Sequence, residues 1–248
     1  MYLLIDERGD KGKKYLVKGT DDVHTNHGVI SAKELQKKNP GDVIETHLGH
    51  KYYIVEPNAL DFMEKAKRSP QIMSLKDSAL IAGYAGIKSG CRVVEAGVGS
   101  GLNTMFFANL VYPEKLAGYE VREDFAQLAK ENFKKSGIGN VEVKLKDIYE
   151  GIEEDELDLI CLDLPEPWKV IPHASESLKI GAYLVSYCPS IEQAKKFYDA
   201  LIESNGRFLI EAMECLVRNW DLKVVRPHSR MLAHTGFLII TRLIHKRD

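Results

Sequence analysis

No two cysteines in this 248-residue chain are spaced C-x-x-C; the four present, Cys91, Cys161, Cys188 and Cys215, stand far apart. That spacing supports neither a zinc site nor the disulfide framework of a small secreted domain, so no metal centre is expected and a cytoplasmic setting fits best. Long hydrophobic runs are also missing. No stretch approaches the ~18 apolar residues of a membrane span, and charges fall within the first ten residues, so neither a membrane anchor nor a signal peptide is expected. Neither sign of charge is in excess: 34 Lys and Arg face 36 Asp and Glu, a formal net charge of −2. Taken alone, this balance argues against a nucleic-acid partner, which usually calls for a clear basic surplus. There is no internal repeat and no low-complexity segment.

The balance is uneven along the chain. Residues 1–69 hold 12 basic and 11 acidic groups (+1), residues 70–206 hold 14 against 21 (−7), and residues 207–248 hold 8 against 4 (+4). Salt screens surface charges over about 8–10 Å, so a near-neutral protein can still offer a local basic surface to an anion.

In residues 1–69, β-type runs at 15–17 and 51–55 alternate with turn-rich pieces such as Asn39-Pro40-Gly41-Asp42 and Leu48-Gly49-His50. This predicts a small N-terminal antiparallel β domain. Residues 59–68 read as a connecting helix that ends before Pro70. Over residues 70–248 strands alternate with helices, which predicts a doubly wound α/β domain with a parallel sheet covered on both faces. Strands are expected at 92–95, 116–120, 141–145, 157–163, 182–187, 208–213 and 236–241. Helical spacing appears at 101–111, 122–135, 171–178 and 191–204.

The sharpest motif is Glu95-Ala96-Gly97-Val98-Gly99-Ser100-Gly101, a buried strand running into a glycine turn and then a helix. Glycines let the backbone approach a ligand, and the helix start offers unpaired N–H groups. The spacing is G-x-G-x-G, not the G-x-G-x-x-G of dinucleotide folds, and an acid precedes it. An acid there suits a cationic ligand better than a pyrophosphate, and S-adenosylmethionine carries both a sulfonium and an ammonium. Glu120, at the end of the second strand, stands where an acid accepts hydrogen bonds from ribose hydroxyls. Asp147 follows the third strand, where it can accept from an adenine amino group. Asp163 ends the fourth strand in Leu162-Asp163-Leu164-Pro165-Glu166-Pro167-Trp168; its prolines restrict the loop, and Trp168 either stacks on a base or packs beneath the loop.

Together with Arg68-Ser69-Pro70-Gln71-Ile72, Tyr119-Glu120-Val121-Arg122-Glu123, Ser190-Ile191-Glu192-Gln193, Arg226-Pro227, Arg230-Met231 and His234-Thr235-Gly236-Phe237-Leu238, these words resemble the tRNA (adenine-N1) methyltransferases of archaeal type that act at position 58 of the T loop. The resemblance implies a homotetrameric enzyme with a Rossmann-like S-adenosylmethionine-dependent methyltransferase domain behind a small N-terminal β domain. It also implies tRNA as substrate and S-adenosylhomocysteine as product. Residue by residue, it places Glu95, Gly97, Gly99, Ser100, Gly101, Asn103, Glu120, Asp147 and Asp163 around the cofactor, with Asp163 as the catalytic carboxylate. Gln71, Ser74, Trp168, Arg226, Arg230 and His234 fall on the substrate side, and Lys11, Lys13, Lys14 and Lys18 are candidate phosphate donors.

The chain departs from the family at Ser74-Leu75-Lys76-Asp77, where Tyr-Pro-Lys-Asp or His-Pro-Lys-Asp is common, and so lacks a ring that would position the target base. A second departure is Asn103, early in the helix, which either touches the cofactor or satisfies helix-end N–H groups. Three other readings stand beside this one: an NAD oxidoreductase, a noncatalytic tRNA-binding subunit, and a methyltransferase of the same fold acting on another RNA or a small molecule.

Overall fold

The computed structural model describes residues 1–9, 12–67 and 72–246. The expectations placed on Lys11, Arg68 and Gln71 lie outside the described residues. The chain divides into two compact units, Met1–Ala66 and Lys67–Asp248, where the sequence suggested a division after residue 69.

In the first unit, β1 (Tyr2–Asp6), β2 (Lys14–Val17), β3 (Val23–Thr25), β4 (Gly28–Ile30), a single helical turn α1 (Ala32–Leu35), β5 (Val43–Glu45) and β6 (Lys51–Val55) precede helix α2 (Ala59–Lys65). The main sheet runs β2-β1-β6-β5 with antiparallel neighbours, and β3 and β4 form a separate hairpin. Alternation puts Leu4, Ile44, Tyr52 and Ile54 on the inner face, where they pack with Val23, Ile30 and Leu35. Helix α2 starts at a capping box in which the Asn58 side chain accepts from the backbone of Leu60 and Asp61 while Asp61 accepts from the backbone of Asn58. Such a box satisfies N–H groups that a helix start leaves without partners.

The second unit contains α3 (Leu75–Tyr84), β7 (Val93–Ala96), α4 (Leu102–Val111), β8 (Leu116–Glu120), α5 (Glu123–Ser136), β9 (Val141–Leu145), β10 (Leu157–Leu162), α6 (Ile171–Ser177), β11 (Leu178–Cys188), α7 (Ile191–Glu203), β12 (Gly206–Met213), β13 (Trp220–Asp221), β14 (Arg226–Pro227) and β15 (Phe237–Lys246). Seven strands form one sheet in the order β12-β15-β11-β10-β7-β8-β9. Val94, Ile160 and Leu184 point to the face covered by α6 and α7, while Val93, Leu159 and Val185 meet α3 and α4 on the other. Each such side chain, fully buried, contributes about 1.5–3 kcal/mol.

The sheet is not wholly parallel: β15 runs antiparallel to both β11 and β12. The chain leaves β12 at the carboxyl end of the sheet, and the connection to β15 holds only the short ladder β13–β14. Without a crossover helix to return it to the far end, the strand must start where the last one stopped. Helix α3 was also not anticipated, because its buried face includes Asp77 and Ser78 beside Ile81 and Ala82, which weakens the apolar period. No helix among the described residues is long and apolar enough to cross a membrane.

Candidate active site

The expected cofactor residues lie at the carboxyl ends of β7, β8, β9 and β10, the edge where open α/β sheets bind ligands. After β7 the chain turns through Gly97, Gly99 and Gly101, all at positive φ (85°, 55° and 79°). Gly97 also faces a close neighbour: a Cβ there would lie 2.1 Å from the Asp163 carbonyl oxygen. The Asp163 N–H donates to the Ala96 carbonyl at 3.0 Å. The glycine turn and the end of β10 are therefore packed backbone to backbone, and the Asp163 side chain is held beside the turn.

Glu95 is 2% exposed, and its Oε1 accepts from the Asn103 amide at 3.0 Å. Asn103 thus supports Glu95 and does not cap its helix, where no side-chain cap is made. Asn103 Oδ1 is buried without a hydrogen-bond partner, and Glu95 Oε2 and the Thr104 hydroxyl are buried beside one another. Burial pushes the Glu95 carboxyl up to about 7, only partly offset by its polar neighbours and reinforced by the charges of Asp163 and Glu120. Asp163, partly buried and receiving no hydrogen bond among the described residues, is pushed by burial up to about 6. Buried acceptors and raised carboxyls at a glycine turn fit a cationic ligand, which would restore both the missing hydrogen bonds and the missing countercharge.

Glu120 ties the turn to β8: its Oε2 accepts from the Gly99 N–H and its Oε1 from the Arg122 N–H, both at 2.9 Å. Asp147 Oδ1 accepts from the Tyr149 N–H at 2.9 Å and so starts a short 3-10 turn. Buried Ser100 offers its carbonyl to Asn132, whose amide also reaches the Lys67 carbonyl. Asn132 was missed in the sequence; its partners lie 32 and 65 residues away, and no local pattern marks such a contact.

A second group was likewise unforeseen. Asp77, fully buried, accepts from Ser74 Oγ (2.7 Å), Lys76 Nζ (2.6 Å) and Thr235 Oγ1 (2.9 Å), and the Tyr187 hydroxyl donates to the Thr235 carbonyl. Burial, with the Asp77 and Asp163 charges added, pushes the Tyr187 hydroxyl up to about 12, so it remains a donor. This network fastens the start of α3 to the segment before β15, and directs the Ser74 hydroxyl at Asp77.

The remaining substrate-side residues are spread over the second unit. Trp168 packs against the core on the α6–α7 face with Lys196 Nζ 5.5 Å from its ring centroid. The His234 ring contacts the Pro189 carbonyl (3.3 Å), Glu214 (3.5 Å) and Phe237. Arg226 and Arg230 are exposed and line one surface depression with His228. Of the N-terminal lysines, Lys14 pairs with Glu64 at 3.2 Å and Lys13 reaches Asn26 at 3.4 Å.

The raised carboxyls have a consequence for stability. Unfolded, Glu95 and Asp163 titrate near their ordinary values, so between about pH 4 and pH 7 the folded state binds more protons than the unfolded one. Stability from this pair therefore falls as pH rises through that window. A cation bound at the turn removes the penalty, so the melting-temperature increase given by S-adenosylmethionine is expected to be larger at pH 8 than at pH 5.5. Thermal melts at the two values, with and without the compound, check this.

The sheet order, the glycine turn and the strand-end carboxylates define a Rossmann-like methyltransferase domain of the S-adenosylmethionine-dependent class. A SAM-dependent O-methyltransferase from Thermotoga maritima matches it with a TM-score of 0.90 at 35% identity, over 100% of this chain and 94% of that one. The tRNA (m1A58) methyltransferase TrmI from Aquifex aeolicus matches with a TM-score of 0.81 at 26% identity, over 99% and 98%. In sequence the chain is 35% identical to the tRNA (adenine(57)-N(1)/adenine(58)-N(1))-methyltransferase TrmI of Methanocaldococcus jannaschii, covering 97% of this chain and 94% of that protein. Residues 52–237 match the family described as tRNA methyltransferase complex GCD14 subunit, and the chain belongs to that family.

Proposed function

We propose that this protein transfers a methyl group from S-adenosylmethionine to N1 of the adenine at position 58 of tRNA, forming 1-methyladenosine. The observation that carries the reading within the family is the Asp163 carboxylate: partly buried, free of hydrogen bonds among the described residues, and fixed by its backbone against Gly97. When bound, the cofactor supplies a methyl group made electrophilic by its sulfonium charge. Glu95, Gly97, Gly99, Ser100, Gly101 and Asn103 would hold its amino-acid end, Glu120 its ribose hydroxyls and Asp147 its adenine.

Neutral adenine is a weak nucleophile at N1. Asp163, ionised, accepts a hydrogen bond from the exocyclic amino group, moves electron density toward N1 and stabilises the positive charge that develops on the ring. Beyond that, the site contributes proximity and orientation. The product base can leave as a cation, so no proton need be removed for turnover. N1 lies on the pairing edge, so the nucleotide must be turned out of the tRNA elbow, at a cost of a few kcal/mol. Methylation of the preceding adenine as well is a second reading, favoured by the name of the Methanocaldococcus relative.

The reaction is tested by incubating the protein with methyl-labelled S-adenosylmethionine and unmodified tRNA, then digesting the tRNA to nucleosides. Label in 1-methyladenosine is expected; its absence would defeat the proposal. Phosphate contacts from Arg226 and Arg230 should make tRNA affinity fall with salt despite the near-neutral charge. Changing both to alanine is expected to flatten the log–log salt slope by about one to two units. Filter binding over a salt series measures it, and an unchanged slope removes these arginines from the interface. Native mass spectrometry tests the homotetramer that the family resemblance implies.

A further inference from the structure

We propose that Asp6, His27 and His50 form a binding site for a divalent transition ion of the zinc class within the N-terminal unit. The three residues come from the end of β1, the β3–β4 turn and the β5–β6 turn. One ligand atom from each lies within 4.8 Å of the other two. His50 Nε2 stands 3.2 Å from Asp6 Oδ1, and His27 Nε2 stands 3.8 Å from Asp6 Oδ2. Bonds of ~2.0–2.1 Å to a tetrahedral ion require ligand atoms roughly 3.3–3.4 Å apart, so the 3.2 Å contact already fits and the wider separations, within 4.8 Å, must close on binding.

The hydrogen-bonding roles point to a cation. Arg8 can only donate, so His27 Nε2, 2.7 Å from its guanidinium, presents a lone pair. His50 Nδ1 faces Glu7 Oε1 at 3.2 Å. With an ion seated beside Asp6, the His50 proton moves to Nδ1, facing Glu7, and Nε2 offers the ion a second lone pair. That nitrogen is buried and lies 3.2 Å from the Asp6 carboxylate. Two imidazole lone pairs and an ionised carboxylate then converge, with an outer carboxylate orienting one ring, which is the arrangement that zinc-binding histidines use. Imidazole ligands favour zinc, cobalt and nickel over magnesium and calcium.

The site is rigidly built. Asp6 is 1% exposed, and a Cβ on Gly12 would fall 2.1 Å from the Asp6 Cβ. Thr46, itself buried, donates to the His27 carbonyl at 2.8 Å and accepts from the His50 N–H at 3.2 Å, fixing both turns. Arg8 competes with the metal: its guanidinium is bonded to both Asp6 oxygens and holds that carboxyl well below the ordinary range. Arg8 is half-exposed and can swing into solvent when a divalent ion takes its place. The ion would join three chain segments and stabilise this unit in proportion to its occupancy.

The test uses the full chain, free of any affinity tag, titrated with Zn²⁺ by calorimetry and with Co²⁺ by visible absorption. Expected are one equivalent of saturable binding, tetrahedral-type Co²⁺ bands and a rise in melting temperature. Arg8→Ala is expected to bind about tenfold tighter, because its competing cation is gone, and His50→Ala at least ~10–100-fold weaker. Circular dichroism confirms that both variants fold, and Glu7→Gln, which keeps all three ligands, gives a milder second loss. Absence of saturable binding in both the wild type and Arg8→Ala, or wild-type affinity in His50→Ala, would overturn the proposal.

Discussion

Replacing Asp163 by alanine is expected to lower the rate of 1-methyladenosine formation by roughly 10²–10³-fold, the usual cost of removing one preorganised charge-stabilising group. S-adenosylmethionine and tRNA should still bind. The Asp163 backbone, not its side chain, makes the contacts to Ala96 and Gly97, so the substitution leaves the glycine turn in place. Asp163→Asn is more discriminating, because its carbonyl still accepts a hydrogen bond while the charge is lost. An intermediate rate would separate the two contributions. The wild type should also lose kcat as pH falls through about 6, where the buried Asp163 carboxyl takes up its proton. Saturating S-adenosylmethionine isolates this limb from Glu95, which titrates near 7. Single-turnover assays with calorimetry decide the case: undiminished turnover in Asp163→Ala, or an unchanged acid limb in Asp163→Asn, removes Asp163 from the reaction.

Gly97→Ala is expected to destabilise the second unit by about 2–4 kcal/mol and to abolish cofactor binding. Two costs add: a left-handed backbone at φ +85° that alanine resists, and overpacking of a methyl group against the Asp163 carbonyl at 2.1 Å. Gly137→Ala is the control, since that residue has φ +75° but nothing within 4 Å of an added Cβ; it carries the backbone cost alone, about 1–2 kcal/mol. Chemical denaturation and S-adenosylmethionine titration of both variants separate the contributions. Equal losses in the two would mean that the approach between the glycine turn and β10 has no energetic weight.

What could be read from the sequence follows from how local each feature is. The strand, glycine turn and helix around Gly97, and the acids at Glu120, Asp147 and Asp163, are short motifs whose geometry is fixed by the residues themselves, and they converge because parallel strands put their carboxyl ends on one edge. Asn132, Asp77, Thr235 and Tyr187 act across long separations, so their partners exist only once the topology is formed. The direction of β15 was hidden for the same reason: it is decided by a connection that lacks a helix, not by the strand's own residues. Cysteine spacing gave no sign of the Asp6, His27 and His50 cluster, because its residues come from one strand end and two turns that meet only when the N-terminal unit folds. The near-neutral charge resolves in a similar way. The acids of the middle block include those gathered at the cofactor turn, whereas Arg226 and Arg230 stand exposed in a basic segment of their own.

The most direct measurement is position-resolved methylation of an unmodified tRNA transcript, read by primer extension, beside a transcript in which the adenine at position 58 is replaced by uracil. A methyl group at N1 blocks base pairing, so a new stop at position 58 is expected in the first transcript and none there in the second. Full-length extension of the first, or an unaltered stop pattern in the second, would contradict it.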